Sequence, residues 1–176
     1  GTITAILPRK GIMELSRLLG DKAVQVSMGA NHIRITGTDY CFTSKLVDGA
    51  YPDYDRVLPK GGDKQVVGDR AELKQAFGRT AILSNEKYRG VRILLSNGAI
   101  KMVANNPEQE EAEEEVTVNY GGNDLEIGFN VSYLLDVLNV LKGTEIRFTL
   151  SDSNSSALVE DAADGAAVYV VMPMRL

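Results

Sequence analysis

Residue types able to do covalent or acid–base chemistry are scarce in this chain. One histidine, His32, and one cysteine, Cys41, occur among 176 residues. Acyl transfer of the triad type needs a serine, a base to take its proton and a third group to orient the base. Ser132 has no plausible histidine partner. His32 lies in an alternating stretch beside a turn and reads as a surface or packed strand residue. Cys41, between Tyr40 and Phe42, reads as a small buried or half-buried hydrophobe rather than an activated thiolate. The chain carries no glycine-rich phosphate loop and no Cys/His spacing of the zinc type. We therefore expect no catalytic residue, no metal site and no cofactor.

Two other groupings could do binding chemistry. The acidic run from Glu108 to Glu115 has three readings. It can be a solvated face or strand edge. It can be a divalent-metal site, although no ligand geometry is defined. It can be a docking surface that steers a basic partner. The second grouping is the apolar C-terminal stretch Val170-Val171-Met172-Pro173-Met174.

The elements that must position these groups are legible from periodicity. An amphipathic helix is expected from about Arg9 to Leu19, with Pro8 at its start and Gly20 as a stop; Ile12, Leu15, Leu18 and Leu19 form its apolar face. A second helix starts at Asp69, with Glu72 at capping-box spacing and Leu73, Ala76, Phe77 and Ala81 as its buried stripe. A third follows the N-cap Asn130 and ends before Gly143, with Val131, Leu134, Leu135, Leu138 and Leu141 inward. Period-two alternation marks strands at Val24, Val26 and Met28, at Ile33 and Ile35, at Ile146, Phe148 and Leu150, and at Ala157 and Val159. Val168, Val170 and Met172 form a last strand, stopped or confined to an edge by Pro173. Asn97-Gly98 between Val91–Leu95 and Ile100–Val103 is a strong hairpin signal.

The plan thus repeats three times as a helix, an alternating hairpin and a third strand. The helix starts lie roughly sixty residues apart, too far for a solenoid, which suggests duplicated half-domains. The expected class is α+β. Residues 59–63, Pro59-Lys60-Gly61-Gly62-Asp63, form the best linker. Two repeats after the linker can pair as a complete domain, whereas the one before it has no second half. Its apolar face should be exposed, or covered by something outside this chain.

Composition sets outer bounds. Hydrophobic residues make up 44% and charged residues 24%, as in soluble globular proteins. No apolar run reaches the ~20 residues of a membrane helix, and no segment reads as a signal peptide. The single cysteine excludes an internal disulfide framework and fits a reducing, cytoplasmic setting. The net charge of −5 does not by itself suggest a nucleic-acid partner, since proteins that grip phosphates are usually basic.

The stretches Phe42-Thr43-Ser44-Lys45-Leu46-Val47-Asp48-Gly49, Tyr51-Pro52-Asp53-Tyr54, Ile82-Leu83-Ser84-Asn85-Glu86-Lys87, Asn105-Asn106-Pro107-Glu108-Gln109-Glu110-Glu111-Ala112-Glu113-Glu114, Gly128-Phe129-Asn130-Val131-Ser132-Tyr133 and Val170-Val171-Met172-Pro173-Met174-Arg175-Leu176, in this order, resemble the bacterial DNA polymerase III beta subunit, the sliding-clamp family. The resemblance covers nearly the whole chain. It implies a DNA-clamp fold of repeated half-domains. Residues 1–58 would be the second half of the middle domain, 59–63 a linker and 64–176 the complete third domain. It also implies a processivity factor rather than an enzyme. Two full subunits would close into a ring around double-stranded DNA.

The resemblance further implies three functional surfaces. Pro52, Arg56, Val57, Leu58, Pro59, Tyr133, Val170, Val171, Met172, Pro173 and Met174 would form a groove for Gln-x-x-Leu-Phe peptides. Such peptides would be carried by replicative and translesion polymerases, the clamp loader, and mismatch-repair and ligase proteins. Arg56, Asn130, Ser156 and Arg175 would orient the peptide's polar groups. Asn154 departs from the family's pattern, which often has an apolar residue there. Part of the family's groove comes from a loop upstream of Gly1, so reduced affinity is expected. Ile82, Leu83, Glu108, Gln109, Glu110, Glu111, Glu113 and Glu114 would form the face that meets the second subunit. Lys10, Arg17, Arg70 and Lys74 would face DNA. A ring holds DNA topologically and needs only weak phosphate contacts, so an acidic outside with a mildly basic inside is compatible with sliding.

Two rival readings stand beside this one. A nucleic-acid enzyme using the acidic run for metal ions predicts cleavage that depends on Glu110 and Glu111. A self-associating scaffold unrelated to DNA predicts no selective capture of Gln-x-x-Leu-Phe peptides.

Overall fold

The computed structural model describes residues 3–51, 53–59 and 61–175. They fall into two compact units, Gly1–Asp53 and Tyr54–Leu176.

In the first unit Pro8 occupies the cap position of α1 (Arg9–Leu18). The strands β1 (Gln25–Met28), β2 (His32–Thr36) and β3 (Cys41–Lys45) form an antiparallel meander in the order β1-β2-β3. Ile33 and Ile35 turn inward from β2 and meet Leu15 of α1, with Leu7, Val24, Phe42 and Leu46 packed around them. Of the expected helix face only Leu15 is buried; Ile12, Leu18 and Leu19 are exposed. Val26 and Met28 of β1, expected to be buried, are exposed as well. One helix on a three-stranded sheet can cover only one stripe of either element, so the remaining apolar positions have no layer to bury them. Cys41 is also exposed, contrary to the sequence expectation. The period-two pleat of β3 turns Phe42 and Ser44 toward α1 and Cys41 away.

The second unit opens with a 3-10 turn (Tyr54–Arg56) and holds two copies of a strand–helix–three-strand repeat. The first copy is β4 (Lys64–Asp69), α2 (Arg70–Ile82), β5 (Gly90–Ser96), β6 (Ala99–Asn105) and β7 (Glu111–Thr117). The second is β8 (Leu125–Asn130), α3 (Val131–Val140), β9 (Glu145–Leu150), β10 (Ala157–Asp161) and β11 (Val168–Val171). The sheet orders are β7-β6-β5-β8 and β11-β10-β9-β4. Each repeat therefore lends its first strand to the other's sheet: Val66 of β4 lies opposite Phe148 of β9, and Ile127 of β8 opposite Ile93 of β5. The unanticipated strands β4 and β8 interlock the two repeats.

The expected local signals are present. The Asp69 carboxylate accepts from the Glu72 amide at 2.9 Å, and the Asn130 side chain accepts from the Ser132 amide at 2.9 Å, so both helices are capped. Asn97-Gly98 turns β5 into β6, with Gly98 at a positive φ of 78° and Ser96 opposite Ala99. Phe77, Leu73, Phe129, Leu134, Ile146 and their neighbours make one continuous core. The last strand differs from expectation by one position. Ala157 and Val159, both buried, lie opposite Val171 and Tyr169, so these two face inward while Val168 and Met172 are exposed. Residues opposite one another in a ladder share a face, which sends the alternate set outward.

Candidate functional site

One member of the outward set, Met172, adjoins a concave surface. A cavity of about 540 Å³ is walled on one side by Arg56, Val57, Leu58 and Pro59 and on the other by Ser151, Asn154, Ser155 and Ser156. The Ser156 hydroxyl donates to the Met172 sulfur at 2.8 Å, which joins the C-terminal segment to this wall. Met172 is 62% exposed and Val57 47%. A second concavity of about 400 Å³ shares Asn154 and adds Arg92, Gly128, Met174 and Arg175. Beyond β11 the chain is held by the Met174 amide, which donates to the Gly128 carbonyl at 2.8 Å. That bond lays the tail beside the strand leading into α3. Asn130 and the exposed Tyr133 sit at the adjoining helix end.

Val170, Pro173 and Met174 are half-buried and Arg175 is exposed. Val171 is 3% exposed and packs in the core, so its side chain backs this surface rather than lining it. Pro52 lies outside the described residues. The surface offers aliphatic and thioether groups beside hydroxyls, an amide and guanidinium groups. Such a mixture suits an extended peptide with apolar anchors.

The acidic run forms a loop and then an edge strand. The Asn106 side chain accepts from the Glu110 amide at 2.9 Å and donates to the Glu110 carboxylate at 2.7 Å, closing the turn that holds Glu108 and Gln109. Gln109 adopts a left-handed φ of 66°. Strand β7 lies at the rim of its sheet. Glu111, Glu113 and Glu115 are exposed along one side, and Lys101 pairs with Glu113 at 2.6 Å. Glu114 points the other way, to α2, where Arg79 grips it with bonds of 2.5 and 2.9 Å. The Arg79 guanidinium holds the Glu114 carboxyl below the usual carboxylate range, and Glu113 raises the Lys101 ammonium. The run is therefore not a single acidic face. Ile82, at the end of α2, is 75% exposed and is no core residue. With the half-buried Leu83 it borders a cavity of about 430 Å³ that also includes Glu108 and Glu110. Among the described residues no group of three His, Cys, Asp or Glu side chains comes together as a metal site.

The expected cationic helix positions divide. Lys10 and Lys74 are exposed, and Arg17 is exposed with an ion pair to Glu14 at 3.2 Å. Arg70 is different. Its Nε donates to the Gly143 carbonyl at 2.8 Å and its Nη1 to the Leu138 carbonyl at 3.2 Å. The guanidinium thus satisfies carbonyls at the end of α3, groups a helix terminus leaves free, and does not present itself to solvent as Lys74 does.

Sequence reasoning did not single out Ser151, Asp152 or Ser155. The signal was available in Ser151-Asp152-Ser153-Asn154-Ser155-Ser156, a polar run of turn-forming residues between two alternating segments.

Comparison with known proteins gives one consistent result. The family description "DNA polymerase III beta subunit, C-terminal domain" matches residues 55–175, and that of the central domain matches residues 1–53. The beta sliding clamp of Pseudomonas aeruginosa is 66% identical over 173 residues, which is 97% of this chain and 47% of that protein. A crystal structure of the P. aeruginosa DNA polymerase sliding clamp with ligand aligns with a TM-score of 0.92 over 98% of this chain and 48% of its own. A further P. aeruginosa clamp structure, bound to griselimycin, aligns at 0.91 over 98% of this chain and 47% of its own, also at 66% identity. The chain spans about half the length of these relatives.

Proposed function

Because this chain belongs to the DNA polymerase III beta subunit family, we propose that it is a segment of a DNA sliding clamp, a processivity factor without chemistry of its own. Its work is to dock partners and to contribute an arc of a ring around double-stranded DNA in the cytoplasm. The observation that carries this reading is a concave, partly apolar surface lined by Val57 and Ser156, with the exposed Met172 held beside it by the Ser156 hydroxyl. That surface takes the Gln-x-x-Leu-Phe type of peptide borne by replicative and translesion polymerases, the clamp loader, and mismatch-repair and ligase proteins. Methionine thioethers adapt to several related peptides at little cost.

In this reading residues 64–176, within the second unit, are the complete third domain, 59–63 are the linker, and 1–58 are half of the middle domain. The strand pattern supports the division. In the second unit the strands that follow each helix, β5 and β9, pair with the first strand of the other repeat. Strand β1 holds the equivalent position after α1 and is an edge. A preceding half-domain supplies its missing neighbour. The exposed Glu111 and Glu113 on the rim strand, with Ile82, Leu83, Glu108, Gln109 and Glu110 beside it, suit contact with a basic surface of a second subunit. Glu114 supports this face from behind. Lys10, Arg17 and Lys74 give weak, mobile contacts to DNA phosphates, while Arg70 is committed to α3.

The test is a fluorescence-polarisation titration with a labelled Gln-x-x-Leu-Phe peptide, using the intact chain and a variant lacking Met172–Leu176. Saturable binding by the intact chain, lost in a folded variant, is the expected result. Equal binding by both would remove the C-terminal segment from the site.

A further inference from the structure

The turn between β9 and β10 is the one wall shared by both concavities, through Asn154. One carboxylate accepts three hydrogen bonds within it. Asp152 Oδ1 accepts from the Asn154 amide at 2.8 Å and from the Ser155 amide at 2.9 Å. Its Oδ2 accepts from the Ser155 hydroxyl at 3.0 Å. At the start of the turn, Lys64 Nζ donates to the Ser151 carbonyl at 2.8 Å. Asp152 itself is exposed and lines neither concavity, so its three bonds are spent on the residues that do.

We infer that Asp152 is a positioning residue of the peptide site, holding the turn 151–156 so that Asn154 and Ser156 present their polar groups to a bound peptide. The inference rests on the peptide-docking reading above and adds a specificity element to it. Asn154 stands between the cavity of Arg56 and Val57 and the cavity of Met174 and Arg175. A peptide crossing from one to the other passes its carboxamide, which can donate to and accept from the peptide main chain. Ser156 meets the same peptide beside Met172. Without the carboxylate, the Asn154 and Ser155 amides turn to water, and the wall samples conformations that a peptide must then reorder on binding. The ionised state of Asp152 is favoured by its bonds from the Asn154 amide and the Ser155 side chain and by nearby Lys64, which keep its pKa below the ordinary value.

The test uses the whole chain labelled with 13C at its methionine methyl groups. Met172 and Met174 report on the site, and the buried Met102 reports on the fold. An unlabelled Gln-x-x-Leu-Phe peptide is titrated against the unaltered chain, Asp152→Ala and Asp152→Asn, to concentrations that detect weak binding. Asp152→Asn keeps a side-chain oxygen for the two amides, whereas Asp152→Ala keeps none. The expected result is a loss of roughly tenfold in affinity for Asp152→Ala, with Asp152→Asn within about threefold of the unaltered chain and Met102 unmoved in all three. Equal affinity for the unaltered chain and Asp152→Ala overturns the inference while leaving the docking reading intact. Equal losses in the two variants overturn it too, because charge rather than turn geometry would then be responsible. A shifted Met102 in Asp152→Ala transfers the decision to Ser155→Ala, which removes one of the three bonds and is expected to lose about twofold; full affinity in Ser155→Ala then overturns the inference. No binding by the unaltered chain overturns the docking reading, and this inference with it.

Discussion

Arg70 donates from its Nε to the carbonyl of Gly143 at 2.8 Å, tying the first residue of α2 to the chain just past α3. A second bond to Leu138 makes the guanidinium a cap for the end of α3. Replacing Arg70 with Ala leaves half-buried carbonyls without a donor, so the second unit should lose ~1–3 kcal/mol. Lys74→Ala, one turn along the same helix, touches only an exposed side chain and should change stability by less than ~0.5 kcal/mol. Urea unfolding of both variants checks this, and equal, small effects would show that the Arg70 bonds carry no weight. Under the proposed clamp reading, the salt dependence of DNA association should become shallower in Lys74→Ala.

Arg79 and Glu114 connect α2 to β7 by two parallel bonds, and this pair gives the fold a pH signature. The pairing lowers the Glu114 pKa. A carboxyl with a lowered folded pKa adds stability above its unfolded value of about 4.3 and loses it as pH falls through the folded value. Thermal unfolding should therefore separate the unaltered chain from Glu114→Gln at neutral pH. The gap should close as the pH is taken below about 4. The arginine partner stays charged throughout, since a guanidinium is protonated across this whole pH range. A gap that persists at acid pH would assign the difference to packing rather than charge.

What the sequence revealed and what it hid divide by distance along the chain. Asp69 with Glu72, Asn130 with Ser132, and Asn97-Gly98 are local signals, and each produces its expected cap or turn. Strands β4 and β8 went unseen because their ladders join distant segments: Val66 faces Phe148, and Phe129 faces Val91. Lys64-Gln65-Val66-Val67-Gly68-Asp69 alternates too weakly to declare itself without that partner. The last strand could be found from its β-branched residues. Which of its faces is buried, however, was decided by the register with Ala157 and Val159. At the candidate sites, the chemistry of Met172, Ser156 and the glutamates was legible. The commitments of Arg70 to Gly143 and of Glu114 to Arg79 were not, since each joins residues at least 35 positions apart.

Ile82 gives a direct separation of packing from docking. It sits on the last turn of a well-packed helix yet is 75% exposed, while Phe77 of the same helix is wholly buried. Ile82→Ala should leave stability within ~0.5 kcal/mol, against ~3–5 kcal/mol for Phe77→Ala. In a full-length subunit, Ile82→Ala should weaken self-association. Sedimentation at decreasing concentration reads this as a rise in the monomer fraction. A variant that dissociates no sooner than the unaltered subunit would remove Ile82 from the proposed subunit-contact face.

The first unit makes the last prediction. Val26 and Met28 on β1, with Ile12 and Leu18 on α1, are large apolar side chains open to solvent, and β1 is a sheet edge. An open edge beside apolar side chains is the arrangement that recruits another strand. In this chain, Val26→Lys should reduce binding of a hydrophobic dye and suppress concentration-dependent association. It should leave stability within ~0.5 kcal/mol, because that side chain is more than half exposed. The same substitution in a full-length subunit should be costly, since the preceding half-domain would bury Val26 and the introduced ammonium with it. Paired unfolding measurements on the short and long chains check the contrast. Equal, small effects in both would mean that β1 stays uncovered in the longer protein, contrary to the half-domain reading.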